Sequence, residues 1–300
     1  MKMQFGFVIA ATFLMASGAF AQMGGMPGSG VQDFPGFRGH QMNMNLIIPQ
    51  VAVGQNYQTT LSLLNLGDSS QMPWVTPQNL KTAGRISLFK QDGSPLVVSV
   101  GGSGPASQLT FSLDPSETAN YALSYSGPDT SGWALIEVDD LPNNASWGMM
   151  DGQQMMRGER LMASVFYTYQ NGATVSRVGV VPSMYQMGTF YRSAMPVQEQ
   201  EGLYTGFALV NVGTEAVAVQ LRLMDADGQL YASQDLSLPA GHQIAQFVRE
   251  RFPGLPPGFL GFLEVITNSD GIVTMGLLEG QGVLTSIPTM HYGRISATMP

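Results

Sequence analysis

The sequence predicts an all-β chain of two tandem antiparallel β-sandwich modules of Ig-like type, and three observations carry that prediction. Apolar–polar alternations of strand length recur along most of the 300 residues. Turn formers punctuate them, with 36 Gly and 18 Pro in the chain. Five blocks of the first half return in the same order in the second, the mark of an internal duplication. Charged residues make up 11% of the chain against 44% hydrophobic, so Gly, Ser, Thr, Gln and Asn must cover the surface. A chain of this length can bury two separate cores.

In order along the chain, Lys2, an apolar run over 5–15 and Ala19-Phe20-Ala21 read as a signal peptide over 1–21, cleaved after Ala21. The run falls short of the roughly 20 residues needed to span a bilayer. No later segment is long and apolar enough for a membrane helix. Residues 22–44 (QMGGMPGSGVQDFPGFRGHQMNM) are a flexible Gly/Met/Pro-rich leader. The first module takes 45–186, the second 187–290, and 291–300 is a tail.

The repeat fixes the elements within each module. IIPQVAVGQNYQTTLSLLNLG (47–67) corresponds to AMPVQEQEGLYTGFALVNVG (194–213), with Pro49 and Tyr57 spaced as Pro196 and Tyr204, each strand ending in Asn-x-Gly. ISLFKQDGSPL (86–96) and VQLRLMDADGQLY (219–231) each read as a strand, an Asp-Gly turn and a strand. FSLDPSETANYAL (111–123) matches LSLPAGHQIAQFV (236–248), and GWALIEV (132–138) matches GFLEVIT (261–267). Finally, 162–182 and 273–288 are hairpins closed by Asn-Gly and Gln-Gly. One short helix is expected in the second module, with Ile244, Phe247, Val248 and Phe252 on one face and Pro253-Gly254 as its stop. Two first-module loops, 68–84 and 139–160, have no counterpart, and long loops of this kind are usually functional.

The combination IIPQVAVGQNYQTTLSLLN, FKQDGSPL, GWALIEV and FYTYQNGATVSRVGVVP, continued by TGFALVN through LTSIP, resembles a poorly characterised family of exported bacterial proteins built from tandem Ig-like β-modules. The resemblance spans roughly residues 46–290 and departs from the family pattern in the Met-rich 139–160 loop. It implies a surface or extracellular role and brings no catalytic residues with it.

Chemistry-bearing residues are sparse. A net charge of −8 and a pI near 4.7 repel a phosphate backbone, which argues against nucleic acid. The chain has no Cys, so thiol catalysis, Cys-zinc sites and disulfides are excluded. Of the three His, at 40, 242 and 291, only His242 lies inside a module, and no Gly-x-Ser-x-Gly elbow accompanies it. Glu137 and Glu264 hold the same repeat position on separate strands, so they are not a glycosidase pair. Asp225-Ala-Asp227-Gly228 has oxygen ligands at alternate positions, as calcium prefers, but lacks the downstream bidentate Glu and reads first as a turn. Asp139, Asp140 and Asp151 are a second weak calcium candidate. His40, Met42 and Met44 have the spacing and softness of a Cu(I) site. Met149, Met150, Met155 and Met156 make the 139–160 loop an adaptable contact surface. Trp133 sits in a strand as a core residue, whereas Trp74 and Trp147 lie in the two extra loops, where an aromatic can stack on sugar or anchor a partner.

The sequence therefore predicts a non-enzymatic, exported structural or interaction protein, secreted, periplasmic or on the cell surface, in adhesion or assembly. Its expected partner is a cell-envelope or extracellular protein, or a polysaccharide, met by Trp74, Trp147 and the Met loop. No cofactor is expected. The alternatives are a carbohydrate-binding module using the loop Trp residues and periplasmic Cu(I) binding by the Met-rich segments.

Overall fold

Alternating burial decides which way each strand faces, and the partner strands follow from it. We describe a computed structural model of the chain at residues 45–66, 81–139, 161–171, 174–182, 184–185, 192–269, 271–280 and 282–292, which all fall in one compact unit. The first half contains β1 (Leu46–Val53), β2 (Tyr57–Asn65), β3 (Thr82–Lys90), β4 (Val98–Val100), β5 (Pro105–Ala106), β6 (Gln108–Leu113), β7 (Thr118–Ser124), β8 (Thr130–Val138), β9 (Leu161–Asn171), β10 (Thr174–Pro182) and β11 (Met184–Tyr185). The second contains β12 (Arg192–Gln200), β13 (Leu203–Asn211), β14 (Val217–Asp225), β15 (Leu230–Leu238), β16 (Gln243–Phe247), α1 (Val248–Arg251), β17 (Phe259–Thr267), β18 (Ile272–Gly280), β19 (Val283–Ile287) and β20 (Met290–Tyr292).

The chain is all-β, its sheets antiparallel and packed as sandwiches. In the first half an outer sheet β11-β1-β8-β3-β6 faces an inner sheet β10-β9-β2-β7-β4-β5. In the second, an outer sheet β12-β17-β14-β15, with β20 also on β12, faces an inner sheet β19-β18-β13-β16. The duplication extends to minor strands: β11 pairs with the start of β1 as β20 pairs with the start of β12. The third strand pairs with the strand of the Glu-Val block, and the second with the one before it, as C–F and B–E pair in immunoglobulin domains. The first strand, however, joins the outer sheet through β8 or β17, and β9 or β18 joins the inner. The terminal strands have thus exchanged sheets relative to the immunoglobulin order.

Each half has its own core. Ile48, Ile86, Leu88 and Ile136 of the first outer sheet meet Leu61, Leu63 and Val165 of the inner sheet, all fully buried. Met195, Leu221, Leu263 and Val265 meet Phe207 and Leu209 in the second, which Val248 and Phe252 close at one end. Full burial of each such side chain is worth about 1.5–3 kcal/mol.

The Asn of the predicted Asn-x-Gly motif is a structural bolt. Asn65 Nδ2 donates to the carbonyls of Leu113 and Asp114, both at 3.2 Å, and Asn211 Nδ2 to those of Leu238 at 2.9 Å and Glu215 at 2.7 Å. Both Asn are fully buried. These shared bonds set Asn65 level with Asn211, and hence Tyr57 level with Leu203 rather than Tyr204. The equal Pro–Tyr spacing in the sequence hides a one-residue slip. Register across β8 and β17 sets Pro196 level with Ile47 and not with Pro49. The first half gains one residue in a β-bulge between Ile48 and Val51, where Pro49 and Gln50 face one residue's worth of β8, and the rest before β2.

That bulge holds the two halves together. It frees the Pro49 carbonyl to accept from Gln243 Nε2, which also donates to Gly132 O at 2.9 Å and Gln50 Oε1 at 3.1 Å. The Gln243 N–H donates to Gln91 O at 2.8 Å, and Trp133 Nε1 to Gly241 O at 3.0 Å. Ile47, Trp133, Val210 and Val273 pack around this polar seam as a third apolar cluster, with Trp133 stacked on Phe89 at 4.4 Å. The inner sheets also run on into each other through a parallel pairing of β10 with β19.

Several expectations change. The helix is a single turn, Val248–Arg251, because residues 243–247 form β16 instead. The main-chain groups of β13 need that ladder, and their demand outweighs the helical spacing of Ile244 and Phe247. β3 starts at Thr82, taking three residues from the expected 68–84 loop, and β20 takes His291 and Tyr292 from the tail. The first Asp-Gly turn forms, but its second arm is a lone bridge from Phe89 to Pro95. Proline has no N–H with which to extend that arm, and the chain crosses to the inner sheet as β4, beside β7.

Two predictions follow from the repeat and the seam. In Asp114-Pro115-Ser116-Glu117 the turn puts Ser116 at φ 63°, and in Pro239-Ala240-Gly241-His242 the equivalent Gly241 lies at φ 71°. A left-handed backbone at the second central residue of a four-residue turn favours glycine. Ser116→Gly should therefore raise stability by about 0.5–1 kcal/mol, measured by urea denaturation; a loss would contradict the turn assignment. Gln243→Ala, which strands buried carbonyls of Pro49 and Gly132, should cost roughly 2–3 kcal/mol. An unchanged urea midpoint would mean that the seam does not hold the halves.

Candidate functional site

Trp74, Trp147, Met149, Met150, Met155, Met156, His40, Met42 and Met44 all lie outside the described residues, as do the signal peptide, Asp140 and Asp151. Asp225 builds a turn: its Oδ1 accepts the N–H groups of Asp227 at 3.0 Å and Gln229 at 2.8 Å, while Gly228 takes φ 76°. Asp227 is exposed beside it. No group of three or more His, Asp or Glu suited to a metal occurs among the described residues.

The repeat-related glutamates each pair with an arginine on the neighbouring strand. Arg85 Nη2 lies 2.9 Å from Glu137 Oε2, and Arg222 Nη1 lies 3.2 Å from Glu264 Oε2. The more exposed Arg85–Glu137 pair contributes a few tenths to about 1 kcal/mol. Arg222–Glu264 is more buried, Glu264 being 14% exposed. The carboxylates are thus set against guanidinium groups and not against each other. His242 Nδ1 lies 3.0 Å from Ala240 O, within the turn that leads into β16. Trp133 is buried, as its strand position suggests.

The described residues include two sheet faces that leave apolar side chains exposed. The outer face of β17 carries Leu260 and Phe262, half exposed, beside Pro196 of β12, Met224 of β14 and Met290 of β20. The far face of β9 and β2, turned away from the first core, carries Met162 and Phe166, also about half exposed, with Leu64 and Leu66. The alternation that makes these strands also makes these faces, since each core residue points its neighbour outward. The sequence reading passed over both faces. Alternation made them legible as outward positions, but not as positions left apolar.

Among the described residues no helix is long and apolar enough to cross a membrane.

One buried acid stands apart. Glu199, near the β12–β13 turn, accepts the Thr205 N–H at 3.2 Å. Burial pushes its carboxyl above the usual carboxylate range, against the opposing pull of that bond and of the Arg249 charge. Arg249 itself lies over the Tyr204 ring, 3.5 Å from its centre. A carboxyl raised in the folded state stabilises the fold while protonated and loses that contribution as the pH rises through its folded value. Glu199→Gln keeps an acceptor for Thr205 and should raise the melting temperature at pH 7, the gap closing as the pH falls below the carboxylate range. A gap that widens toward acid would reverse the assigned sign.

No protein-family model matches the chain, and no curated protein matches it by sequence. Among solved structures, an oxalate decarboxylase variant from Bacillus subtilis aligns over 83% of this chain and 68% of its own, at 6% identity and a TM-score of 0.22. A second variant of oxalate decarboxylase from B. subtilis aligns over 86% and 71%, at 8% identity and a TM-score of 0.22. Likenesses of that size carry no argument about fold or function.

Proposed function

We propose that this chain is an exported, non-enzymatic structural and interaction protein of the cell envelope or extracellular space, working in adhesion or assembly. The observation that carries the proposal is the exposed apolar face of the second outer sheet, where Leu260, Phe262 and Met290 stand in solvent. Contiguous apolar surface of this kind marks a contact site for another macromolecule. An exposed sheet face suits a protein surface better than a small substrate, which needs a concave pocket. The engagement of Glu137 and Glu264 with arginines supports the non-enzymatic reading. The N-terminal Lys2, apolar run and Ala19-Phe20-Ala21 support export, as does the resemblance to exported tandem β-module proteins.

The test uses cell envelopes prepared from cells that lack this chain, so that self-association cannot mimic retention. The exported chain should bind them saturably, and a double substitution of Leu260→Asp with Phe262→Asp should weaken binding at least about tenfold, some 1.4 kcal/mol, with the melting temperature little changed. Undiminished binding by the double variant would remove this face from the function. Mass spectrometry of the exported chain should find Gln22 at its N-terminus.

A further inference from the structure

The two exposed faces are the unmatched halves of a contact already made once inside the chain. In the second half, the far face of the inner sheet is covered: Val210, Val273, Met275 and Leu277 are buried, the first two against Ile47 and Trp133 of the first outer sheet. The pairings Asn65 with Leu161 and Asn211 with Ile272 make Leu64, Met162, Ser164 and Phe166 their counterparts in the first half. There the face is open, with Met162 at 54% and Phe166 at 45% exposure against 6% for each of Val273 and Leu277.

The outer sheets show the reverse. Register with the Arg–Glu pairs makes Leu260 the counterpart of Trp133, Phe262 that of Leu135, and Pro196 that of Ile47. Trp133 and Ile47 are buried in the contact between halves, while Leu260 and Phe262 are 50% and 49% exposed. Thus the outer face of the first half lies on the inner sheet of the second. The second half's outer face and the first half's inner sheet are left without partners. Each keeps half-exposed apolar side chains among polar ones where nothing else in the described chain lies on it.

We infer that copies of this chain associate head to tail, the Leu260–Phe262 face of one copy seating on the Met162–Phe166 face of the next. The inference rests on reading these faces as interaction surfaces and names the partner as a second copy. A contact between two unlike faces is heterologous, so it propagates from copy to copy instead of closing as a symmetric dimer. It is weaker than the contact within the chain. Leu260 replaces Trp133 and its indole N–H, Thr118 stands level with Gln243, and Ser62 and Ser164 replace Ala208 and Met275. The covalent link that raises effective concentration is also missing. Association is therefore reversible and rises with concentration.

Sedimentation velocity on the purified exported chain over a wide concentration range, with two single variants, tests this. The parent should form an open series of species. Phe262→Asp, which spoils one face, and Phe166→Asp, which spoils the other, should each be monomeric alone. Mixed, they should form a dimer and stop there, because each retains the face the other needs. Leu260→Lys with Met162→Lys is a second pair at the same faces, and far-ultraviolet circular dichroism confirms that each variant is folded. A parent that stays monomeric throughout overturns the inference, as does a folded single variant that still dimerises alone, which would show a symmetric contact. Either result leaves binding to chain-free envelopes as a separate question.

Discussion

The described chain depends on β1 being covered on both sides. Residues 46–49 and 51–53 are buried, so this strand has no solvent face. One side seals the first core with Ile48 and the other meets the second half with Ile47. A strand buried on both faces must be near-continuously apolar, and LIIPQVAV is, except at the bulge. There the backbone leaves the ladder, and its freed carbonyl is bonded across the seam by Gln243. Without the bulge the strand could cover two neighbours, but the Pro49 carbonyl would not be free to meet Gln243. Apolar contacts alone are non-directional, so the side-chain bonds of Gln243 and Trp133 specify how the halves meet.

Duplication supplies the same module twice but cannot supply the same surroundings. Where counterparts share an environment, their chemistry has been kept: Asn65 with Asn211, and Arg85–Glu137 with Arg222–Glu264. Where the surroundings differ, residues have drifted in proportion. Ala208 and Met275 under the first half correspond to Ser62 and Ser164, which are only partly buried. The Ser116 turn shows the cost of incomplete matching, since a left-handed backbone conformation persists there without the glycine that suits it.

Much of this was legible in the sequence, for physical reasons. Period-two alternation and Asp-Gly turns act locally, so most strands, the hairpin at Asp227-Gly228 and the repeat could be read directly. Sheet partners are non-local, and the exchange of terminal strands between sheets left no trace in the spacing. The helix was overestimated because Ile244, Phe247 and Val248 suit either a helical face or a strand followed by one turn. The needs of β13 decided between them. The contact of Gln243 with Pro49 gave no signal: Pro49 reads as a repeat marker within a strand and Gln243 as the residue after a turn, until the fold brings them together. The candidate contacts in the two long loops fall outside the described residues, whereas the apolar faces lie on strands whose outward positions the alternation had already marked.

Low charge sharpens the importance of those faces. Solenoid-like arrays remain soluble by ending in repeats with polar outer faces, and isolated sheets protect themselves with charges that disfavour pairing. This chain has few charges to spend. On the open outer face the central ionic feature is Arg222 with Glu264, set two residues along β17 from Phe262 on the same side. The equivalent Arg85–Glu137 pair stands two residues along β8 from Leu135, at the covered face. An ion pair beside an apolar patch adds little affinity but penalises any seating that buries it without partners. The same arrangement that leaves Leu260 and Phe262 open therefore restricts how a partner can lie on them. A partner seated there would be restricted in register by the ion pair, even though apolar attraction alone is non-directional.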